Sequence, residues 1–518
     1  MVVAGSRLLL KGALESKSSA QITADELQLG GELRTGSDLA LGATLLTLSG
    51  TQHVGGNLQL QAEQTAVSGE LEVGKLLKLD AKTLASSGKL LANQADIAAV
   101  NWQQRGELST DNALVWRGDK LTQEAGGALR VGGVLKLSGD DITLAGDVAA
   151  KGDVAVVADA YQQQGAMNAA QGLRIDATKL QLDGTTQAKT AQLHSQVGSS
   201  RGQHLIGQQL NWQSDTLANQ GWLQAGESLA LTGRTLDNEG TVIAGGDHQL
   251  NATERLTNQG NLAGKTLSLT TKGLQNGGLL QGKQGITLQA EEATLTGRLV
   301  SQGAVQLGAK LLALGGNANI GGALTLLGDT QQLAGVWRVG GLLQSTGKQL
   351  TLAGDWQAGQ WQLQADGLTN KGRLASEQTA NFEVTEWHNE QGATLVAAGE
   401  LNLTGQRLLQ QGSWLGNGSQ TLMVDEITQQ GQWLGDGALQ VKGSKLVNSG
   451  TLRAAGLDLT VHELENRSRM ESGGELNWQG TQWRNLGALL AGHATLTGDT
   501  LLNSGDVGTR QLTMTAAT

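Results

Sequence analysis

The sequence predicts an all-β chain, a single-stranded parallel β-helix (a solenoid) of about 27 turns with roughly 19 residues per turn. Three observations predict it. A glycine recurs at an almost constant interval along the whole chain. Proline is absent from 518 residues that include 76 glycines. Between the glycines lie short apolar patches that alternate with period two.

The interval is clearest at residues 236–240 and 256–260, which read "LDNEG" and "LTNQG". Stepping back from Gly240 by 18 to 20 residues meets Gly221, Gly202, Gly184, Gly165, Gly146, Gly126, Gly106, Gly88, Gly69, Gly50, Gly31 and Gly12. Stepping forward meets Gly260, Gly278, Gly297, Gly316, Gly335, Gly354, Gly372, Gly392, Gly412, Gly431 and Gly450. Ser468 takes one position before Gly487 and Gly505 resume the series. Glycine is common here, so one hit means little, but a series with glycine at twenty-six of twenty-seven positions is a repeat.

Other positions keep the same time. Four before the glycine stand apolar residues such as Leu46, Trp102, Ile142, Leu217, Leu368 and Trp483. Two or three after it come Ile243, Leu262, Leu374 and Leu452. A third patch follows as alternation, in "TLSLT" at 266–270 and "LDLTV" at 457–461. Three short strands per turn cannot bury an apolar face alone, so neighbouring turns must stack on one another about 4.8 Å apart. Helical patterns of useful length are absent, and a propeller needs a repeat near 40 residues.

The missing proline fits this reading. Proline has no backbone N–H and is excluded from strands that pair on both sides. Tyr161 and Phe382 are single occurrences of their types, so the core is aliphatic, with twelve tryptophans. A formal charge of −10 with no basic patch argues against a nucleic-acid surface. There is no cysteine, and no apolar stretch approaches the about 18 residues of a membrane span. The opening residues lack a signal-peptide layout.

The residue two before the glycine divides the chain into sub-regions of what reads as one continuous β-helix over 1–518. In 1–200 this column is mixed (Leu48, Val67, Gln104, Leu144, Gln163, Leu182). In 201–280 it is Asn219, Asn238, Asn258 and Asn276. In 281–360 it is Leu295, Leu314, Leu333 and Leu352. In 361–518 it is Asn370, Gln410, Gln429, Asn448, Asn466, Asn485 and Asn503, with Asn389 displaced by one. Stacked amides can satisfy one another along a buried corner; the leucine segment should be a drier corner.

The stretch "LDNEGTVIAGGDHQLNATERLTNQGNLAGKTLSLTTKGLQNGGLLQG" resembles the repeats of filamentous haemagglutinin and of the contact-dependent growth inhibition effectors of Gram-negative bacteria. The pattern L-x-N-x-G, a short apolar strand, A-G and then L-x-L carries the resemblance, most clearly over 217–280 and 368–505. The resemblance implies a right-handed coil forming the shaft of an exoprotein, secreted through an outer-membrane partner and displayed at the bacterial surface. It further implies a tip that binds a receptor or glycan, or delivers a toxin. The repeat runs close to both termini without a recognisable cap, so the chain is expected to be part of a longer filament, continuing at both ends.

Parallel β-helices also host polysaccharide lyases and glycoside hydrolases. The candidate column for such chemistry is six before the glycine: Lys120, Asp140 and Asp159. Aspartates on adjacent turns would stand about 5 Å apart, near the separation of a retaining pair. The column becomes Val100 and Thr178 on either side, so the favoured reading is a solvated Asp–Asp contact relieved by a lysine at a turn. The seven histidines (53, 194, 204, 248, 388, 462, 493) are scattered without zinc-ligand spacing. "GGDH" at 245–248 resembles a calcium-binding nonapeptide but does not recur every nine residues. "GNGS" at 416–419 lacks a phosphate-loop lysine. No catalytic, cofactor-binding or metal residue is assigned. Trp337, Trp356, Trp361 and Trp387 cluster, and Trp414 and Trp433 share a position; an inward row would be core, an outward row a sugar or partner surface.

Overall fold

A computed structural model describes residues 1–516, which are strand and tight corner with no helix. The chain is a parallel β-solenoid of about 27 turns with about 19 residues per turn. It comprises two compact units, Met1–Thr253 and Glu254–Thr518.

In the first unit a turn begins at a column glycine. A four-residue strand follows, such as Glu32–Thr35, then a corner, then a longer strand such as Leu39–Leu48 that bends in its middle. Pairing is parallel and in register, with Leu39 beside Leu58, Leu41 beside Leu60 and Leu48 beside Val67. Alternation sends Leu33, Leu39, Leu41, Leu46 and Leu48 inward, all buried. Each such leucine contributes about 1.5–3 kcal/mol by leaving water. The second unit repeats the plan: Thr394–Ala397 and Leu401–Gln410 send Leu395, Leu401, Leu403 and Leu408 inward.

The glycine column has a steric cause. At the corner, the N–H groups of Ser49 and Gly50 both donate to the Leu29 carbonyl, each at 3.0 Å. This folds Gly50 against the turn below, where a Cβ would lie 2.0 Å from the Gly31 carbonyl oxygen. Gly69 and Gly88 meet the glycine before them at 2.0 Å, and in the second unit Gly297 meets Gly278 at 2.0 Å. At these four glycines no side chain fits, although Ser468 and Ala393 show that the column admits a small side chain at other corners.

Two corners depart from the sequence reading. Glu107 pairs with Ala128, so Gly127, not Gly126, stands in the column. Arg373 pairs with Thr394, which puts Ala393 in the column in place of Gly392. The cause is the same in both. Glu124–Gly127 and Glu390–Ala393 are inserted turns, closed by Gly127 N–H to Glu124 O at 2.8 Å and Ala393 N–H to Glu390 O at 3.0 Å. Gly392 has φ of +87°, which its lack of a Cβ permits. The displacement of Asn389 is therefore one of counting only: it pairs in register with Asn370 and Gln410.

Candidate functional site

The most ordered chemistry in the chain is the corner two residues before the glycine, and it points inward. In the first unit Asn219 Nδ2 donates to Asn238 Oδ1 at 2.8 Å, and both are buried. In the second, Asn258 donates to Asn276 at 2.6 Å and Asn370 to Asn389 at 2.7 Å, with Asn389 next donating to Gln410. A longer run links Asn448, Asn466, Asn485 and Asn503 at 2.7–2.8 Å. The second amide hydrogen reaches backbone, as from Asn466 to Ala488 O at 3.1 Å. Glutamine, one methylene longer, donates to backbone alone: Gln429 Nε2 donates to Gly431 O at 3.0 Å and Thr451 O at 3.1 Å. Leu295, Leu314, Leu333 and Leu352 fill the same corner without polar atoms and are buried. Asparagines ladder from turn to turn, whereas Gln410 and Gln429 do not pass the ladder on and donate to backbone instead.

The tryptophans are core, with one exception. Trp337 and Trp356 stack at 4.7 Å and 3°. Trp414 and Trp433 stack at 4.5 Å, and Trp387 joins them at 5.4 Å. Phe382 meets Trp387 edge-on at 5.0 Å. All are buried. Trp222 is 41% exposed.

Asp140 and Asp159 do face each other on adjacent turns, because Gly139 pairs with Ala158 and Asp141 with Ala160. Both are exposed. Lys120 is not in their column. It pairs with Asp141, with Nζ 3.3 Å from Oδ2. The inserted turn at Glu124–Gly127 shifted the count by one. Among the described residues, no group of three or more His, Asp or Glu side chains could hold a metal ion.

Outward charges mostly pair across turns, as Lys82 does with Glu63 at 2.7 Å and Lys445 with Glu463 at 3.1 Å. Such exposed pairs contribute little each. Asp355 is held below the usual carboxylate range: burial works against its charge, but hydrogen bonds from Arg338 and Arg373 prevail. One inward polar chain has no signature in the sequence. His204 Nδ1 lies 2.9 Å from Thr186 Oγ1, which donates at 2.9 Å to Gln163 Oε1. Burial pushes His204 down to about 4. The same burial raises the Tyr161 hydroxyl.

A coil whose shared chemistry is internal, with glycine corners and stacked amides, is of the kind that shaft repeats of the filamentous haemagglutinin type form. The chain is a relative of CdiA proteins. It is 27% identical over 321 residues to the tRNA nuclease CdiA of Yersinia mollaretii, covering 60% of this chain and 9% of that protein. It is 29% identical over 318 residues to the deoxyribonuclease CdiA of Dickeya dadantii, covering 59% and 8%. It is 31% identical over 311 residues to the tRNA nuclease CdiA of Escherichia coli O6:K15:H31, covering 54% and 9%. The chain thus spans less than a tenth of the length of these curated relatives. No family model and no solved structure matches it. Among the described residues no helix is long and apolar enough to cross a membrane.

Proposed function

We propose that the chain is a structural segment of a secreted surface exoprotein of the contact-dependent growth inhibition type, and that it acts by length and stiffness, not by turnover. The carrying observation is the in-register stack itself: strand after strand pairs with the next turn, and the shared glycine and amide columns serve that stacking. The relatives support a non-enzymatic role. Their names carry two different nuclease activities, yet both kinds match this same chain, each over less than a tenth of its own length. In this reading both units belong to one shaft, export uses an outer-membrane partner, and the shaft holds a receptor-binding, adhesive or toxin-delivering part away from the cell.

The test is to remove whole turns from this segment within a secreted exoprotein that carries it. Export and surface display should survive removal of one or two turns, while the reach of the displayed part shortens in proportion. A reading based on a catalytic or receptor site in these turns predicts abrupt loss at particular turns instead.

A further inference from the structure

Trp222 is the one exposed indole, and its surroundings give it a use. It opens the short strand Trp222–Ala225 of the first unit. In this strand and its neighbours the first and third residues face out and the second and fourth face in. Register places Ala166 and Asn168, Thr185 and Gln187, Gln203 and Leu205, Trp222 and Gln224, and Thr241 and Ile243 on consecutive turns of one outer face. Their alternates, from Met167 and Ala169 to Val242 and Ala244, are buried.

None of the ten outward residues is charged. Earlier turns of the same face are different: they carry Glu32, Arg34, His53, Glu70, Glu72, Lys89, Glu107 and Arg130, several of them paired across turns. The charge-free window spans about 19 Å along the stack, four intervals of about 4.8 Å. Within it the indole is fixed: Trp222 Nε1 donates to Gln224 Oε1 at 3.1 Å. That satisfies the only polar atom of the ring, in a side chain that stays 41% exposed. On the same face Gln203 stands beside Trp222 one turn back, Gln224 two residues along its strand, and Gln187 two turns back from Gln224, each with an amide able to donate and accept.

We propose that Trp222, with Gln187, Gln203 and Gln224, forms a lateral subsite for a neutral hexopyranose oligosaccharide. The C–H face of a sugar ring offers what an open indole face takes, an apolar surface with positive edge density. Its hydroxyls match amides that both donate and accept. The absence of charge on ten consecutive outward positions selects a neutral glycan over an anionic one. This inference does not rest on the shaft reading, and either can fail alone.

The test uses the full chain labelled with 5-fluorotryptophan, with the Trp222 signal assigned by loss in Trp222→Phe. Cellotetraose, N-acetylchitotetraose and lacto-N-tetraose are titrated at millimolar concentration, with sialyllactose as the charged comparison. The expected result is a saturable shift of the Trp222 fluorine signal with at least one neutral sugar, while the buried signals stay still. By isothermal titration, that sugar should bind at least tenfold more weakly to Trp222→Ala and measurably more weakly to Gln224→Ala. Trp222→Phe should retain part of the affinity. The proposal is overturned if no neutral sugar moves the signal, if sialyllactose binds as well as the neutral sugars, or if Trp222→Ala binds unchanged. It is also overturned if the signal broadens with protein concentration alone, which would mean a second copy covers the face.

Discussion

Asn466 donates an amide hydrogen to Asn485 Oδ1 at 2.7 Å and accepts one from Asn448 at 2.8 Å, each residue one turn from the next. All three are fully buried. Removing one member of such a corner leaves its neighbours' amide atoms dry and unpaired.

Replacing Asn466 alone with leucine strands the Asn448 donor and the Asn485 acceptor. The expected cost is about 1–3 kcal/mol in chemical denaturation, although leucine fills the same corner at Leu295–Leu352 without penalty. Replacing Asn448, Asn466 and Asn485 together should cost less than the sum of the single changes, since the stranded partners go with them. Strict additivity would remove the ladder from the account.

The glycine column predicts a contrast. Gly50→Ala places a Cβ 2.0 Å from the Gly31 carbonyl oxygen and should lower stability by several kcal/mol or abolish folding of the first unit. Gly126→Ala, where the nearest atom is 4.0 Å away, should change stability by no more than about 0.5 kcal/mol. Thermal unfolding of the two variants decides this.

Trp356→Ala removes a ring stacked 4.7 Å from Trp337 in a dry interior. It should cost about 3–5 kcal/mol. Trp222→Ala, on the surface, should leave the denaturation midpoint nearly unchanged.

His204 sets a pH dependence. Its folded value is pushed down to about 4 from 6.5 by burial. Above pH 6.5 the ring is neutral whether the chain is folded or not. As pH falls below 6.5 the unfolded chain takes up a proton that the folded chain refuses. Stability therefore declines between pH 6.5 and 4, by on the order of 3 kcal/mol in all. Denaturation midpoints of wild type and His204→Gln at pH 7 and pH 5 should differ in pH slope, the variant being flatter.

The fold was legible because its repeat writes the same steric demand into every turn: a glycine where a carbonyl presses, apolar residues where alternation points inward. The asparagine ladder was legible for the same reason. The inserted turns at Glu124–Gly127 and Glu390–Ala393 were not. Each contains a glycine close to the expected place, so counting alone selects Gly126 and Gly392, while the hydrogen bond closing the turn puts Gly127 and Ala393 in register. The misplacement of Lys120 followed from that slip. The His204–Thr186–Gln163 chain joins residues on successive turns with no shared motif, so only pairing reveals it. Which tryptophan faces out also required the register, since Trp222 sits one residue from the inward Leu223.

The most direct measurement compares two deletions in the first unit, followed by far-ultraviolet circular dichroism and denaturant unfolding. One removes residues 51–69, from after Gly50 through Gly69; the other removes 51–59. Gly69 stacks on Gly50 as Gly50 does on Gly31, so the first deletion joins equivalent points of neighbouring turns. It should leave strand content and cooperative unfolding intact, with one turn fewer. The second joins unlike points and should send inward residues outward, with loss of the cooperative transition in this unit. Equal tolerance of both deletions, or equal collapse, would contradict a chain built from interchangeable stacked turns.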